Sequence, residues 1–327
     1  VAALTTLVDT DGVSGDYASM NAAIVGDAQD LTDGGGDTWE CTCQATTGVQ
    51  DTTAVEVAGW TTGSANWMKF VAASGQEADK SGLDTGIYRF GTSGTMLDVY
   101  EDYVYFSKLQ FYSMSAANMF RINSVGASNY IEIDSCYFNG SGGAANEQCI
   151  ICIDATAVVK IINTYMFEIQ QRCIDLDAGT MSIYNCVFRA ENARAGIDTA
   201  VGSTITVKNT AVINTADDFA ISGTGTLDYN ISDDGDGSHA QTPSGADWDN
   251  EYTDSANGDF TAITGGNIEG GGIGPSVDGN VPALDFDGDT RSGAICDIGA
   301  DEIVAAGGTV PFTPLSGPFG GPFARPF

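Results

Sequence analysis

Five short segments in the middle of the chain carry one pattern: YVYFSKLQF (103–111), YIEIDSCYF (130–138), VVKIINTYM (158–166), TMSIYNCVF (180–188) and TITVKNTAV (204–212). Each alternates apolar and polar residues with period two, the mark of a strand with one buried face. Registered on one another, they place Phe106, Ile133, Ile161, Ile183 and Val207 in one column. A second column holds Lys108, Ser135, Asn163, Asn185 and Asn209, and a third Leu109, Cys136, Thr164, Cys186 and Thr210. A further apolar position recurs at Ile151, Ile174, Ile197 and Ile221, each followed within a few residues by Gly or Ala. Such a unit cannot bury its own face. Stacked at ~4.8 Å, like on like, the units build a continuous core. The pattern predicts an all-β chain: a right-handed, single-stranded parallel β-helix with a short N-terminal helical cap and an extended C-terminal tail. Asn163, Asn185 and Asn209 are expected to form a structural ladder, because Asn tolerates left-handed corners and its amide bonds along the stack.

The rest of the chain is organised around these coils. Residues 16–25 place Tyr17, Met20, Ala23 and Ile24 at the spacing of a short amphipathic helix, with Asp16 or Ser19 as N-cap. Residues 1–37 are therefore read as a cap over the first coil. Residues 38–226 hold the coils, with irregular first rungs at 38–46, 54–60, 67–73 and 87–93. Residues 227–303, opening with an Asp/Gly/Ser/Asn-rich stretch, are expected to be irregular terminal rungs and a cap. Residues 304–327 form a Pro/Phe-rich tail.

Charge narrows the function classes. Twelve Lys+Arg against 44 Asp+Glu leave a net charge of −32, which opposes the counterion exchange that drives nucleic-acid binding. Nucleic acid is excluded as a partner. No stretch reaches the ~18 apolar residues of a membrane span. An acidic, Lys-poor surface suits a salty or divalent-rich exterior. Eight cysteines permit disulfides without fixing a pairing, and Cys149 and Cys152 have no His beside them to suggest zinc. NGS at 139–141 and NIS at 230–232 match the glycosylation acceptor pattern.

Three constellations are candidates for function. If Ile174 and Ile197 point inward, Asp175 and Asp198 stack outward on adjacent coils, with Arg172, Glu191 and Arg194 near them. That set could bind a glycan or an ion, or serve a lyase or glycosidase that needs two carboxylates. Asp285, Asp287 and Asp289 alternate around a Gly as calcium loops do, but position twelve is Cys296 instead of Glu. The alternative is a turn in which Arg291 pairs with an Asp and closes the last rung. The tail places Phe312, Phe319, Phe323 and Phe327 after prolines. Those rings are expected to dock on a neighbouring subunit, because extended Pro-rich segments lose little entropy on binding. The lone His239 sits in a polar loop and is not expected to act.

DYASMNAAI, GWTTGSANWMKF, the coil repeats, NGDFTA and the closing DFDGDTRSGAICDIGADE together resemble right-handed parallel β-helix proteins of the choice-of-anchor Q type, over roughly residues 10–303. The resemblance implies the fold and an exposed location, on a cell surface or a phage-like particle, and no single activity. The expected function is a non-catalytic extracellular or virion structural protein (a fibre, spike or capsid-decoration subunit). It would assemble with other copies of itself or with other surface subunits through the tail, and contact glycans or a host surface. The alternatives are a polysaccharide lyase or glycosidase and a glycan-binding adhesin.

Overall fold

The computed structural model describes residues 3–33, 37–113, 118–123, 130–140, 148–191, 195–213, 217–291 and 293–303. Phe312, Phe319, Phe323 and Phe327, expected to drive assembly, lie outside the described residues, as does Arg194. Three parallel sheets share one axis. The longest has nine strands: Ala3–Asp9, Thr38–Gln44, Met68–Ala72, Val104–Ser107, Tyr130–Asp134, Val158–Ile162, Thr180–Tyr184, Thr204–Lys208 and Thr224–Asp228. A seven-stranded sheet runs from Val55–Val57 to Phe219–Ile221, and a five-stranded one from Gln110–Tyr112 to Ala211–Ile213. The chain is an all-β parallel β-helix with a short N-terminal helix, Met20–Asp27.

The long sheet follows the columns read from the repeat. Phe106 pairs with Ile133, Ile133 with Ile161, Ile161 with Ile183, and Ile183 with Val207. Phe70 and Leu227 extend the file at its two ends, and the rings of Phe70 and Phe106 stack at 5.0 Å. Each coil then turns a two-residue corner. Its first residue is left-handed, with φ of 59° at Lys108, 52° at Ser135, 48° at Asn163, 52° at Asn185 and 51° at Asn209. Its second residue (Leu109, Cys136, Thr164, Cys186, Thr210) is fully buried. Left-handed backbone is costly for most L-residues and least so for Asn, so the Asn row marks the corner. Replacing Ile183 by Val at the centre of the file is expected to cost about 1 kcal/mol. A lowered denaturant midpoint at unchanged m-value would register it.

One column is corrected. In the seven-stranded sheet the inward file is Phe120, Ile150, Ile174, Ile197 and Phe219; Ile151 lies opposite Asp175, and Ile221 opposite Thr199. The loops between strands differ in length, so even sequence spacing does not guarantee even register. Ile151 sits one residue out of register and so turns to the other face, whereas Ile221 sits two residues out and still packs against the core.

Both ends depart from the simplest expectation. Ala3–Asp9 is already a strand of the long sheet, in register with Thr38–Gln44. Ser19 is the helix N-cap, its Oγ accepting the Ala22 amide at 3.2 Å. Met20, Ala23 and Ile24 pack into the core with Val8, Trp39 and Cys41. The buried Asp51 carboxylate accepts the Met20 amide at 2.7 Å, where the helix presents its positive end. At the other end the winding fades through bridges from Ala211 to Ile231 and from Ile231 to Gln241. Residues 244–303 then run back along the outside of the five-stranded sheet. That sheet turns Tyr137, Tyr165, Phe167, Val187 and Ile213 outward, and Tyr252, Phe260, Ile268, Phe286 and Ile298 cover them in a second core. Tyr165 stacks on Phe260 at 5.7 Å and meets Phe286 edge-on at 4.9 Å. An apolar outer face this large needs a cover, and the flank supplies it. All eight cysteines are buried.

Candidate functional site

The seven-stranded sheet turns one column to its outer face: Glu56, Asp98, Arg121, Ile151, Asp175, Asp198 and Ala220. Asp175 and Asp198 are thus direct neighbours on adjacent coils. Arg172 joins them, with Nη1 2.7 Å from Asp175 Oδ2 and Nη2 2.9 Å from Asp198 Oδ2. Gln148 Nε2 also donates to Asp175. Burial pushes the Asp175 carboxyl up, and the Arg172 guanidinium pulls it back. One coil group away, Arg121 grips Asp98 through two nitrogens, at 2.5 and 2.9 Å. Glu191, expected near Asp175, is instead paired with Arg189 at 2.8 Å.

This arrangement ties coil to coil. Charge-assisted pairs with a planar guanidinium are strong and directional, and here one guanidinium serves two carboxylates from the same side. A glycosidase needs its two carboxyl groups on opposite sides of a bond. Asp175 and Asp198 share a cation where that bond would have to lie.

The Asn row has a second task beyond the corner. Asn209 Nδ2 reaches Asn185 Oδ1 at 3.4 Å, the one direct rung of the expected ladder between these three among the described residues. Most of their other bonds go to the flank. Asn209 donates to the Ile273 carbonyl at 2.8 Å and accepts the Ile273 amide at 2.9 Å. Asn185 donates to the carbonyls of Asp297 and Gly299, both at 3.3 Å. Asn163 donates to the Leu284 carbonyl at 3.1 Å and accepts from Arg291 Nη2 at 3.1 Å.

The closing acidic motif builds the flank. Asp285, Asp287 and Asp289 are directed to separate partners. Asp285 accepts the amides of Asp289 at 2.7 Å and Glu302 at 3.0 Å, and burial pushes its carboxyl up to about 6. Asp287 pairs with Lys80 at 2.6 Å, and Lys80 also holds Asp301 at 2.7 Å. Asp289 is half-buried and returns its carbonyl to the Asp285 amide at 2.9 Å. Among the described residues no group of three or more His, Cys, Asp or Glu side chains is placed to hold a metal ion. Arg291 pairs with Glu302 at 3.4 Å, not with an Asp of the loop, and it closes the flank instead of the last rung. The sequence order hid this partner, because Glu302 comes close only through the turn at Gly299, whose φ is 101°.

Two smaller expectations also resolve. Asn230 is buried, donating to the Val207 carbonyl at 3.0 Å and accepting the Thr210 amide at 3.0 Å, so this acceptor pattern is a packed corner and not a free side chain. His239 stacks on Tyr229 at 4.4 Å and contacts Asp228 at 2.7 Å. A cavity of about 560 Å³ that the repeat gave no sign of opens at the N-terminal end, beside Thr6, Tyr17, Asp27 and Trp39. Its polar walls bond to one another: Asp27 accepts from Thr6, from Tyr17 at 2.8 Å and from Trp39 at 3.2 Å. Comparisons with protein-family models, curated proteins and solved structures each return no match, so the choice-of-anchor Q resemblance rests on the sequence motifs.

Proposed function

We propose that this chain is a non-catalytic structural subunit of an extracellular or virion assembly, of the choice-of-anchor Q kind. The β-helix is the rigid rod and the Pro/Phe tail the strap that docks on a neighbouring copy. The observation that carries this reading is the shared guanidinium of Arg172. The outward carboxylates best placed for chemistry on a polysaccharide are engaged in a coil-to-coil ion pair. A core unbroken from Val8 to Phe219 supports a stiff rod. The acidic surface supports an exposed, salty setting.

Deleting residues 308–327 is expected to abolish self-assembly, leaving a folded monomer with the parent's circular dichroism. Light scattering and electron microscopy would read this. Particles or fibres that form normally without the tail would remove the assembly mechanism. The enzymatic alternative has one observation in its favour, the raised carboxyl of Asp175. Polysaccharide turnover that disappears in Asp175→Asn would reverse the ranking.

A further inference from the structure

The outer face of the long sheet carries a stripe unlike the rest of this acidic surface. Trp67, then Tyr103 and Tyr105, then Tyr130 lie there on three successive coils, all half-buried. The Trp67 and Tyr105 rings meet at 5.6 Å, and those of Tyr105 and Tyr130 at 5.9 Å. The register puts Glu40, Lys69, Tyr105, Glu132 and Lys160 in one file through them. Lys69 pairs with Glu40 at 3.3 Å and Lys160 with Glu132 at 3.8 Å. Tyr130 donates its hydroxyl to Glu132 at 2.5 Å. Two lysines cancel two glutamates on a chain whose net charge is −32.

We propose that this stripe binds a neutral oligosaccharide lying along the helix axis. Charge selects the occupant. An anionic polymer meets the repulsion of the whole chain, and a cationic one finds Glu40 and Glu132 already paired with lysines. A second copy would bring its own −32 with it. A neutral, polyhydroxylated chain escapes both penalties. Its C–H faces suit aromatic rings, and its hydroxyls suit ammonium and carboxylate groups already held in place at the rim. The stripe lies on a different sheet from Asp175 and Asp198 and makes no use of the flank. The inference is independent of tail-mediated assembly. It rests on the non-catalytic reading only in expecting the sugar to be released unchanged.

The test titrates the full chain with maltohexaose, cellohexaose and xylohexaose, and with hexagalacturonate as the anionic probe, by calorimetry and tryptophan fluorescence. At least one neutral hexaose is expected to bind saturably, with affinity insensitive to salt, and the uronate is not. Trp67→Ala and Tyr105→Ala should each weaken binding about tenfold, while Tyr105→Phe, which keeps the ring, retains it. Thermal midpoints matching the parent's separate lost binding from lost folding. The proposal is overturned if no neutral hexaose binds or if the alanine variants bind as the parent does. It is equally overturned, in favour of an interface between copies, if sugars do not bind and Trp67→Ala alters sedimentation. Shortened sugars, formed only by variants that still bind, would uphold the surface and overturn the non-catalytic reading.

Discussion

Replacing Arg291 by alanine is expected to loosen the 244–303 flank by about 3–5 kcal/mol while the coils stay wound. The Arg291 side chain is 0% exposed. Its Nη2 reaches Asn163 Oδ1 at 3.1 Å and the carbonyls of Gly299 and Ala300 at 3.1 and 2.9 Å, and its Nη1 faces Glu302. One side chain therefore joins the solenoid corner to the turn of the flank. Its loss removes one of two donors from the carbonyls of Gly299 and Ala300, which keep Asn185 and the Phe286 amide, and takes the cation away from the buried Glu302. An unpaired buried charge costs more than the pair was worth. The interface has little reserve, because the hydroxyls of Tyr165 and Tyr252 are buried in it without a hydrogen-bond partner among the described residues. Lysine should not rescue, since a compact ammonium cannot span four acceptors held in a planar fork. Hydrogen exchange would read the result: amides such as Phe286 and Ile298 lose protection, while those of Ile161 and Ile183 keep it. A variant that unfolds in a single transition at the parent's midpoint would show that Arg291 does not hold the flank.

What the sequence made legible follows from which contacts are local to a repeat. Ile133, Ile161 and Ile183 recur because each coil must present an apolar side chain to the one above, so the aligned repeats alone reveal the file. Asn163, Asn185 and Asn209 recur because the corner demands left-handed backbone. The stacking of Asp175 on Asp198 followed from the same alternation. Register failed where the loops vary, at Ile151 and Ile221, since a period-two pattern cannot count loop residues. The flank was illegible for a different reason. Its bonds join Lys80 to Asp301 and Asn163 to Arg291, across long stretches of chain with no shared period. Its acidic spacing imitates a calcium loop, because turns that satisfy their own amides use carboxylates at similar intervals. The aromatic stripe was visible only once Trp67, Tyr105 and Tyr130 had been stacked on neighbouring coils.

Acidification is expected to tighten the same flank. Asp285 and Asp297 are both pushed by burial from an ordinary 3.8 up to about 6, although each accepts two backbone amides. A raised folded-state carboxyl means that the folded chain holds its proton more tightly than the unfolded chain does. The stabilisation is therefore complete below the unfolded value, declines as pH rises through the folded one, and is absent above it. Each shift of this size corresponds to at most about 3 kcal/mol, an upper bound that solvent screening lowers. The groups facing them are Arg291, Asp289, Asp301 and Glu302. Lys80 holds its proton throughout this window; burial works against it, but Asp287 and Asp301 raise it further. Asp278 acts in the opposite sense. Burial alone would raise it, yet the Lys208 hydrogen bond keeps it below the usual range, so its share is lost on acidification. Two raised carboxyls outweigh one lowered one. Limited proteolysis of the flank should therefore slow as pH falls from about 7 to about 4.5, and the dependence should flatten in Asp285→Asn combined with Asp297→Asn. Protection that is flat with pH in the parent, or that grows on the alkaline side, would mean that both carboxyls stay ionised in the fold, held by their amide donors.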